Sequence, residues 1–264
     1  MKRILIIFMV TVMTVTMAFS LTACKKSQKV VKDGAKIIVG VTDYAPMDYL
    51  DENGKWIGFD AELAQIVFGN LGYTVEFKEI DWDTKIVALK SGKIDAIWNG
   101  MTVTDELLSN LLLTNAYLKN TQIAVVKSEN VQEFSSKNSL VGKKVAVESG
   151  SAAQDLMEKE NISCELRKVT NQNSAVMEVF AGTSDVAIVD LLLAREICTS
   201  DDYKDKLTYV NVGLSNDEYE EFSVAFRKSD SKLFYNVNKE LDKLKKDGAL
   251  KALAQKYGIE DALI

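Results

Sequence analysis

No histidine occurs anywhere in the 264 residues. Serine–histidine and cysteine–histidine catalysis, histidine-bearing zinc sites and imidazole acid–base chemistry therefore have no starting material. Cysteine is nearly as scarce. Cys24, Cys164 and Cys198 are the only three, and neither Cys164 nor Cys198 stands in a metal-binding or redox spacing. These two either pair in an oxidising compartment or stay free, and the sequence leaves both open. No metal and no cofactor are expected. Positive charge is in deficit: without Lys2 and Arg3 the chain carries 30 basic against 38 acidic residues, a net charge of −8. A surface of that sign repels phosphate backbones, which excludes a nucleic-acid partner. Long apolar runs are missing too, save one over residues 4–19, and that one is shorter than the roughly 20 residues a bilayer crossing needs.

That run follows Lys2-Arg3 and ends in Leu21-Thr22-Ala23-Cys24. A basic start, an apolar stretch and small residues before a cysteine make a signal peptide over residues 1–23. The ending resembles a bacterial lipobox, which implies acylation of Cys24 and an anchor on the outer face of the cell membrane. Each buried CH₂ of such a chain adds about 0.8 kcal/mol. Residues 24–34 are polar, lysine-rich and non-periodic, as a lipidated tether should be.

The remaining residues, 35–264, suffice for two modest cores or one large one. They alternate strand and helix. The run KIIVGV (36–41) suits a buried strand, Asp51-Glu52-Asn53-Gly54 a turn, and residues 60–71 a helix with Asp60 placed to cap it. Strands at 74–79 and 94–98 flank a helix through Ile86 and Leu89. The pattern restarts after Asn120, with strands at 143–147, 164–169 and 186–189 and helices at 152–159 and 174–180. Gly92-Lys93-Ile94-Asp95 in the first half recurs as Gly182-Thr183-Ser184-Asp185 in the second. Two similar α/β lobes are the economical inference. The last helical stretch, with Leu241, Leu244 and Leu250, has no partners of its own and must pack back on a lobe.

The runs GFDAELA (58–64), DWDTKIVALKSGKIDAIWNGMTVT (81–104), GKKVAVESGSAA (142–153), DVAIVD (185–190), FRKSD (226–230) and DGALKALAQKYG (247–258) resemble, in order, the polar amino-acid-binding family of ABC-importer solute-binding proteins. Ala61 and Phe68 depart from the family's helix signature and read as packing variation. The resemblance implies the type 2 periplasmic-binding-protein fold, two lobes closing on a ligand in the cleft between them. Lobe 1 is expected at 35–123 plus 223–264 and lobe 2 at 124–222, with crossovers at 122–126 and 221–225. It also implies a monomer that hands a small polar ligand to an ABC-importer permease, with no catalysis.

Carried over position by position, the resemblance makes Asp43 and Tyr44 a carboxylate and an aromatic wall, and Trp82 a cover over the ligand. Gly100 and Thr102 offer backbone and hydroxyl groups to the ligand. Ser151 and Ala152 open a helix whose free N–H groups suit an anion, and Asp190 meets the ligand's α-ammonium. Thr104, Asp105 and Glu106 read as a helix start, and Asp185 as a structural strand start. Two departures bear on the ligand. Leu107 stands where the family normally has an arginine for the ligand carboxylate, and Glu148 where relatives often carry glutamine or a base. With Asp43, Glu148 and Asp190 and no evident cation, the inferred cleft favours a positive ligand. An amino acid is expected, with a cationic amine lacking a carboxylate as the alternative. A cyclic-acid dehydratase-like enzyme and a purely sensory protein are the remote ones.

Overall fold

A computed structural model describes residues 34–214 and 219–264. The signal peptide, the tether up to residue 33 and the acylation of Cys24 lie outside the described residues.

Strand β1 (Ala35–Val41) is flanked by β4 (Tyr73–Glu79) and β5 (Ala96–Ile97), both parallel to it. A hairpin of β2 (Tyr49–Leu50) and β3 (Trp56–Ile57) intervenes in the chain, turning at Asp51, whose Oδ1 accepts the N–H groups of Asn53 and Lys55. Strands β6 (Leu112–Leu113) and β14 (Ala225–Phe226) complete the first sheet with antiparallel pairings, in the order β4-β1-β5-β14-β6. The second sheet repeats the plan. Strands β10 (Glu165–Val169), β9 (Lys144–Glu148) and β11 (Val186–Asp190) run parallel, then β8 (Gln122–Lys127) and β12 (Leu207–Val210) antiparallel, in the order β10-β9-β11-β8-β12. The chain is thus α/β with two sheet-containing lobes, the fold class the sequence implies.

The repeated Gly-x-x-Asp segment has one job in both lobes. Asp95 Oδ2 accepts the Ile38 N–H at 3.0 Å, while the Asp95 N–H donates to the Ile38 carbonyl at 2.7 Å. Asp185 does the same with Lys144, at 2.7 and 2.9 Å. Parallel neighbours have no hairpin to set their register. Here the aspartate sets it, as the strand-start reading of Asp185 requires.

In the first lobe α1 (Phe59–Asn70), α2 (Lys85–Lys90) and α3 (Asp105–Asn110) cover the sheet. In the second α4 (Ala152–Glu160), α5 (Gln172–Ala181) and α6 (Leu191–Thr199) do so. Helices α7 (Ser231–Asp247) and α8 (Ala249–Lys256) return to the first lobe, where Leu241, Leu244 and Leu250 are buried in the cluster that holds Phe59, Leu63 and Phe226 of that lobe. Arg227 fastens the return. Its guanidinium pairs with Asp95 and Asp230 and donates to the carbonyls of Leu89 and Ile94.

Three expectations change. The two lobes are joined by a ribbon of β7 (Leu118–Asn120) and β13 (Glu220–Phe222), paired antiparallel. The segment 122–126, expected as a crossover, is instead an inner strand of the second sheet. Its apolar run IAVV, following the buried Gln122, lies between neighbours on both sides. The second crossover lies one to three residues before the expected 221–225. Asp60 does not cap α1. Gly58 holds the N-cap position, with φ of 120° and the Met47 carbonyl so close that a Cβ would lie 2.2 Å from its oxygen. Asp60 points into the core. Cys164 and Cys198 are both free thiols, and burial pushes the Cys198 thiol up to about 11.

Candidate functional site

Open α/β sheets bind ligands beyond the carboxyl ends of their strands. Glu148 ends β9 and Asp190 ends β11, and both carboxyls face a cavity between the lobes. The first lobe contributes Trp82, Gly100, Thr102 and Leu107 to its lining, and the second Glu148, Ser151, Ala152 and Asp190. The free space within is about 20 Å³, room for roughly one water molecule. The lobes are drawn together around it. Lys85 Nζ of the first lobe donates to the Gly150 carbonyl of the second at 2.7 Å. Asn173 Nδ2 of α5 donates to the Asp43 backbone oxygen at 3.0 Å and to Asp43 Oδ2 at 3.1 Å.

Two sequence candidates do not reach the cavity wall. Asp43 is exposed on the rim, clasped by Asn173. Tyr44 is buried beneath Gly100, where a Cβ would sit 2.5 Å from Tyr44 Cε1. Gly100 also has φ of 53°, a left-handed conformation suited to glycine. The loop it belongs to is held from three sides. The Gly100 N–H donates to Asp60 Oδ2 at 2.6 Å, the Ser223 N–H to the Met101 carbonyl, and the Val103 N–H to the Glu221 carbonyl. Tyr117 donates its hydroxyl to the same Asp60 oxygen at 2.8 Å. Asp60, read from sequence as a cap, therefore supports the cavity loop from behind.

Asp190 is the most heavily supported group of the site. Its Oδ1 accepts from Asn120 Nδ2 at 2.5 Å and Gln122 Nε2 at 2.7 Å, and its Oδ2 from Gln172 Nε2 at 2.5 Å. Its own N–H donates to Gln172 Oε1 at 2.8 Å. Burial raises the carboxyl's pKa, and these amide donors oppose the rise. Glu220 of the ribbon shares two of them, taking Gln122 Nε2 at 2.8 Å and Asn120 Nδ2 at 3.2 Å, with the Thr102 hydroxyl at 3.5 Å. Burial, with the charge of Asp190 adding to it, pushes Glu220 up to about 7. Glu148 is buried with Oε1 unpartnered, and its carboxyl is held well above the usual range by burial and then by Asp190.

The sequence reading found no cation here, and Lys85 corrects it. Lys85 follows Trp82 by one helical turn, which puts both side chains on the same face. Its Nζ lies 4.9 Å from the Trp82 ring centroid and donates to the Trp82 carbonyl at 3.3 Å as well as to Gly150. It is buried, and burial lowers its pKa while Glu148 pulls the other way. Leu107 stands in the expected place at the start of α3, its N–H donating to the Thr104 hydroxyl at 3.3 Å, and packs with Met101 and Leu111. Ser151 caps α4 by accepting from the Gln154 N–H at 3.2 Å, and among the described residues the N–H groups of Ala152 and Ala153, both lining the cavity, have no side-chain partner. The residues missed from sequence (Lys85, Gln122, Gln172 and Glu220) are polar side chains whose roles depend on which strands become neighbours. Gln122 lies directly opposite Asp190 in the β8–β11 register.

The sequence profile of the bacterial extracellular solute-binding proteins, family 3, matches residues 37–260. The chain is 28% identical over 228 residues to the L-cystine-binding protein of Escherichia coli strain K12, covering 86% of this chain and 84% of that protein. It is 31% identical over 245 residues to the arginine-binding extracellular protein of Bacillus subtilis strain 168, covering 90% and 92%. Among solved structures, an ABC uptake transporter substrate-binding protein of Streptococcus pneumoniae with bound histidine superposes with a TM-score of 0.80. Its sequence identity is 29%, over 86% of this chain and 94% of that one.

Proposed function

The chain belongs to the bacterial extracellular solute-binding proteins, family 3, and from that premise we propose that it captures an amino acid with a positively charged side chain by closing its two lobes. The class is firm: it is the extracytoplasmic substrate-binding component of an amino-acid ABC importer. The observation that carries the finer reading is the charge of the cavity wall. Glu148 and Asp190 line it within the lobes, Glu106 and Asp155 stand at its edge, and Lys85 is its one basic residue among the described residues. Buried carboxylates in excess of cations are costly until a positive group arrives. The arginine-binding relative and the histidine-bound structure support a basic side chain, and the cystine-binding relative supports an amino acid only. In this reading Trp82 covers the ligand, the Gly100–Thr102 loop and the Ser151–Ala152 helix start hold its polar groups, and Asp190 takes its ammonium. Asp43 latches the rim, Tyr44 supports the loop from below, and Leu107 shapes the wall. Admission needs the lobes to part, because the cavity has far less room than an amino acid requires.

Binding rather than catalysis suits Asp190, whose oxygens are fixed by three amide donors. The chain is taken to work as a monomer delivering to a permease. Isothermal calorimetry tests the ligand class directly. L-arginine and L-histidine should bind more tightly than L-glutamine, and L-glutamate should not bind. Asp190→Asn should cost roughly ten- to a hundred-fold in affinity, since a charge-assisted hydrogen bond is worth about 1.5–3 kcal/mol and the new amide faces other amide donors. A preference for L-glutamate, or an unchanged affinity in Asp190→Asn, overturns the reading. The Leu-Thr-Ala-Cys ending supports an acyl anchor at Cys24. Mass spectrometry of the mature protein should find a lipidated N-terminal cysteine, and an unmodified terminus in the medium overturns that part alone.

A further inference from the structure

We propose that Lys85 is the specificity-determining cation of the cleft, binding the carboxylate of the amino acid and so selecting amino acids over the corresponding amines. The inference deepens the amino-acid reading above and rests on it. Its basis is geometry. Among the described residues Lys85 is the one basic side chain lining the cavity, and it is 6% exposed. Its ammonium carries three N–H donors. Two of them meet carbonyls, Trp82 at 3.3 Å and Gly150 at 2.7 Å, and neither acceptor carries a full charge. No carboxylate lies within ion-pair distance of Nζ among the described residues, Glu148 included. A buried ammonium held only by carbonyls and an aromatic face has a strong pull on an anion.

The surroundings fit a carboxylate there. Gly150 immediately precedes Ser151, the N-cap of the nine-residue helix α4, so the ammonium sits where that helix presents its first free N–H groups. Lys85 and Asp190 line the same cavity, one basic and one acidic group, the pairing that a zwitterion needs. Leu107, apolar and packed with Met101 and Leu111, supplies no competing donor from its side chain. A ligand carrying ammonium alone satisfies Asp190 and Glu148 but leaves Lys85 without a counterion.

Calorimetry on wild type, Lys85→Met and Lys85→Arg tests this with L-arginine against agmatine and L-histidine against histamine. Methionine keeps the stem and volume while removing the charge. Wild type is expected to prefer each amino acid over its amine. Lys85→Met removes the bond to the Gly150 carbonyl whatever the ligand, so it should weaken the amines modestly and the amino acids by roughly ten- to a hundred-fold more, and so lose the preference. Lys85→Arg should restore most of it. The melting temperature without ligand separates folding defects from site effects. Equal weakening of acid and amine in Lys85→Met, or no change in either, overturns the proposal, the former making Lys85 a clasp between lobes. If wild type binds no amino acid at all, the parent reading falls and this one with it. Binding that Lys85→Met leaves intact sinks this proposal alone.

Discussion

Gly150→Ala is expected to weaken ligand binding about a hundred-fold while both lobes stay folded. Gly150 lies in the second lobe with φ of 71°, and a Cβ built there falls 2.5 Å from the Asp83 Cα of the first lobe and 3.1 Å from the Asp83 nitrogen. Backbone atoms cannot rotate out of the way as a side chain can. The closed arrangement therefore carries the full overlap, and an inserted methyl group in a tight contact costs about 3 kcal/mol, which is about two decades in affinity. The open arrangement carries only the strain of a left-handed alanine, about 1 kcal/mol, seen as a fall of about 2–4 °C in melting temperature. Small-angle scattering should find the variant extended with saturating amino acid present, where wild type contracts. Affinity equal to wild type would show that the lobes need not approach as closely as the Lys85–Gly150 contact implies.

The architecture was legible because it rests on local signals. Apolar alternation, the glycine that ends each helix and the aspartate that opens the next strand recur in both halves, and Asp95 and Asp185 show why. Each aspartate bonds the backbone of the neighbouring parallel strand. Such a signal survives in one dimension because the residue acts on a neighbour that the same motif brings into place. The ribbon between lobes carried no comparable mark. Leu118–Asn120 and Glu220–Phe222 are three-residue strands, shorter than any window in which periodicity can be counted, and the stronger apolar run beside them at 122–126 drew the assignment.

The site was legible only in part, for the same reason. Trp82, Gly100, Thr102, Glu148, Ser151 and Asp190, to which the family resemblance points, all line the cavity. Asp60 and Lys85 could not be read that way. Asp60 stands at the start of an amphipathic helix, where an acid is ordinarily a cap or a dipole partner. That it turns inward to Gly100 and Tyr117 follows from how α1 packs on the sheet, a tertiary fact. Lys85 lay inside the motif DWDTK, yet a lysine on a short helix is ordinarily solvated. Burial of its ammonium depends on the second lobe bringing the Gly150 carbonyl to it. Leu107 marks the position where the resemblance expects a cation, while Lys85, 22 residues earlier, lines the same cavity.

Ligand-free protein is expected to be most stable near pH 5 and to lose stability steadily toward pH 8. Glu220 has an ordinary pKa of 4.5, and burial, together with the charge of Asp190, pushes it up to about 7 in the folded chain. Between those values the unfolded chain has released a proton that the folded chain keeps. Stability from this group is therefore fully present below the unfolded value and is lost as pH rises through about 7. Roughly 2.5 units at about 1.36 kcal/mol each make about 3 kcal/mol, or about 10 °C for a domain of this size. Asp48 and Asp60, buried together in the first lobe, and Glu148 shift in the same direction through burial. The acid edge is set by groups of opposite sign. Asp261 beside Arg195 and Glu62 beside Lys256 have lowered values, so their contribution fades only as pH falls below about 4. Glu220→Gln should flatten the decline between pH 5 and 8 without moving the acid edge. A cationic amino acid favours the ionised forms of Asp190 and Glu220, so its binding at pH 7 should release protons and tighten as pH rises from 6 to 8. Calorimetry in buffers of differing ionisation enthalpy reads that release directly. A ligand-free melting temperature that climbs from pH 5 to 8, or binding that releases no proton, would mean these carboxyls are already ionised in the folded protein.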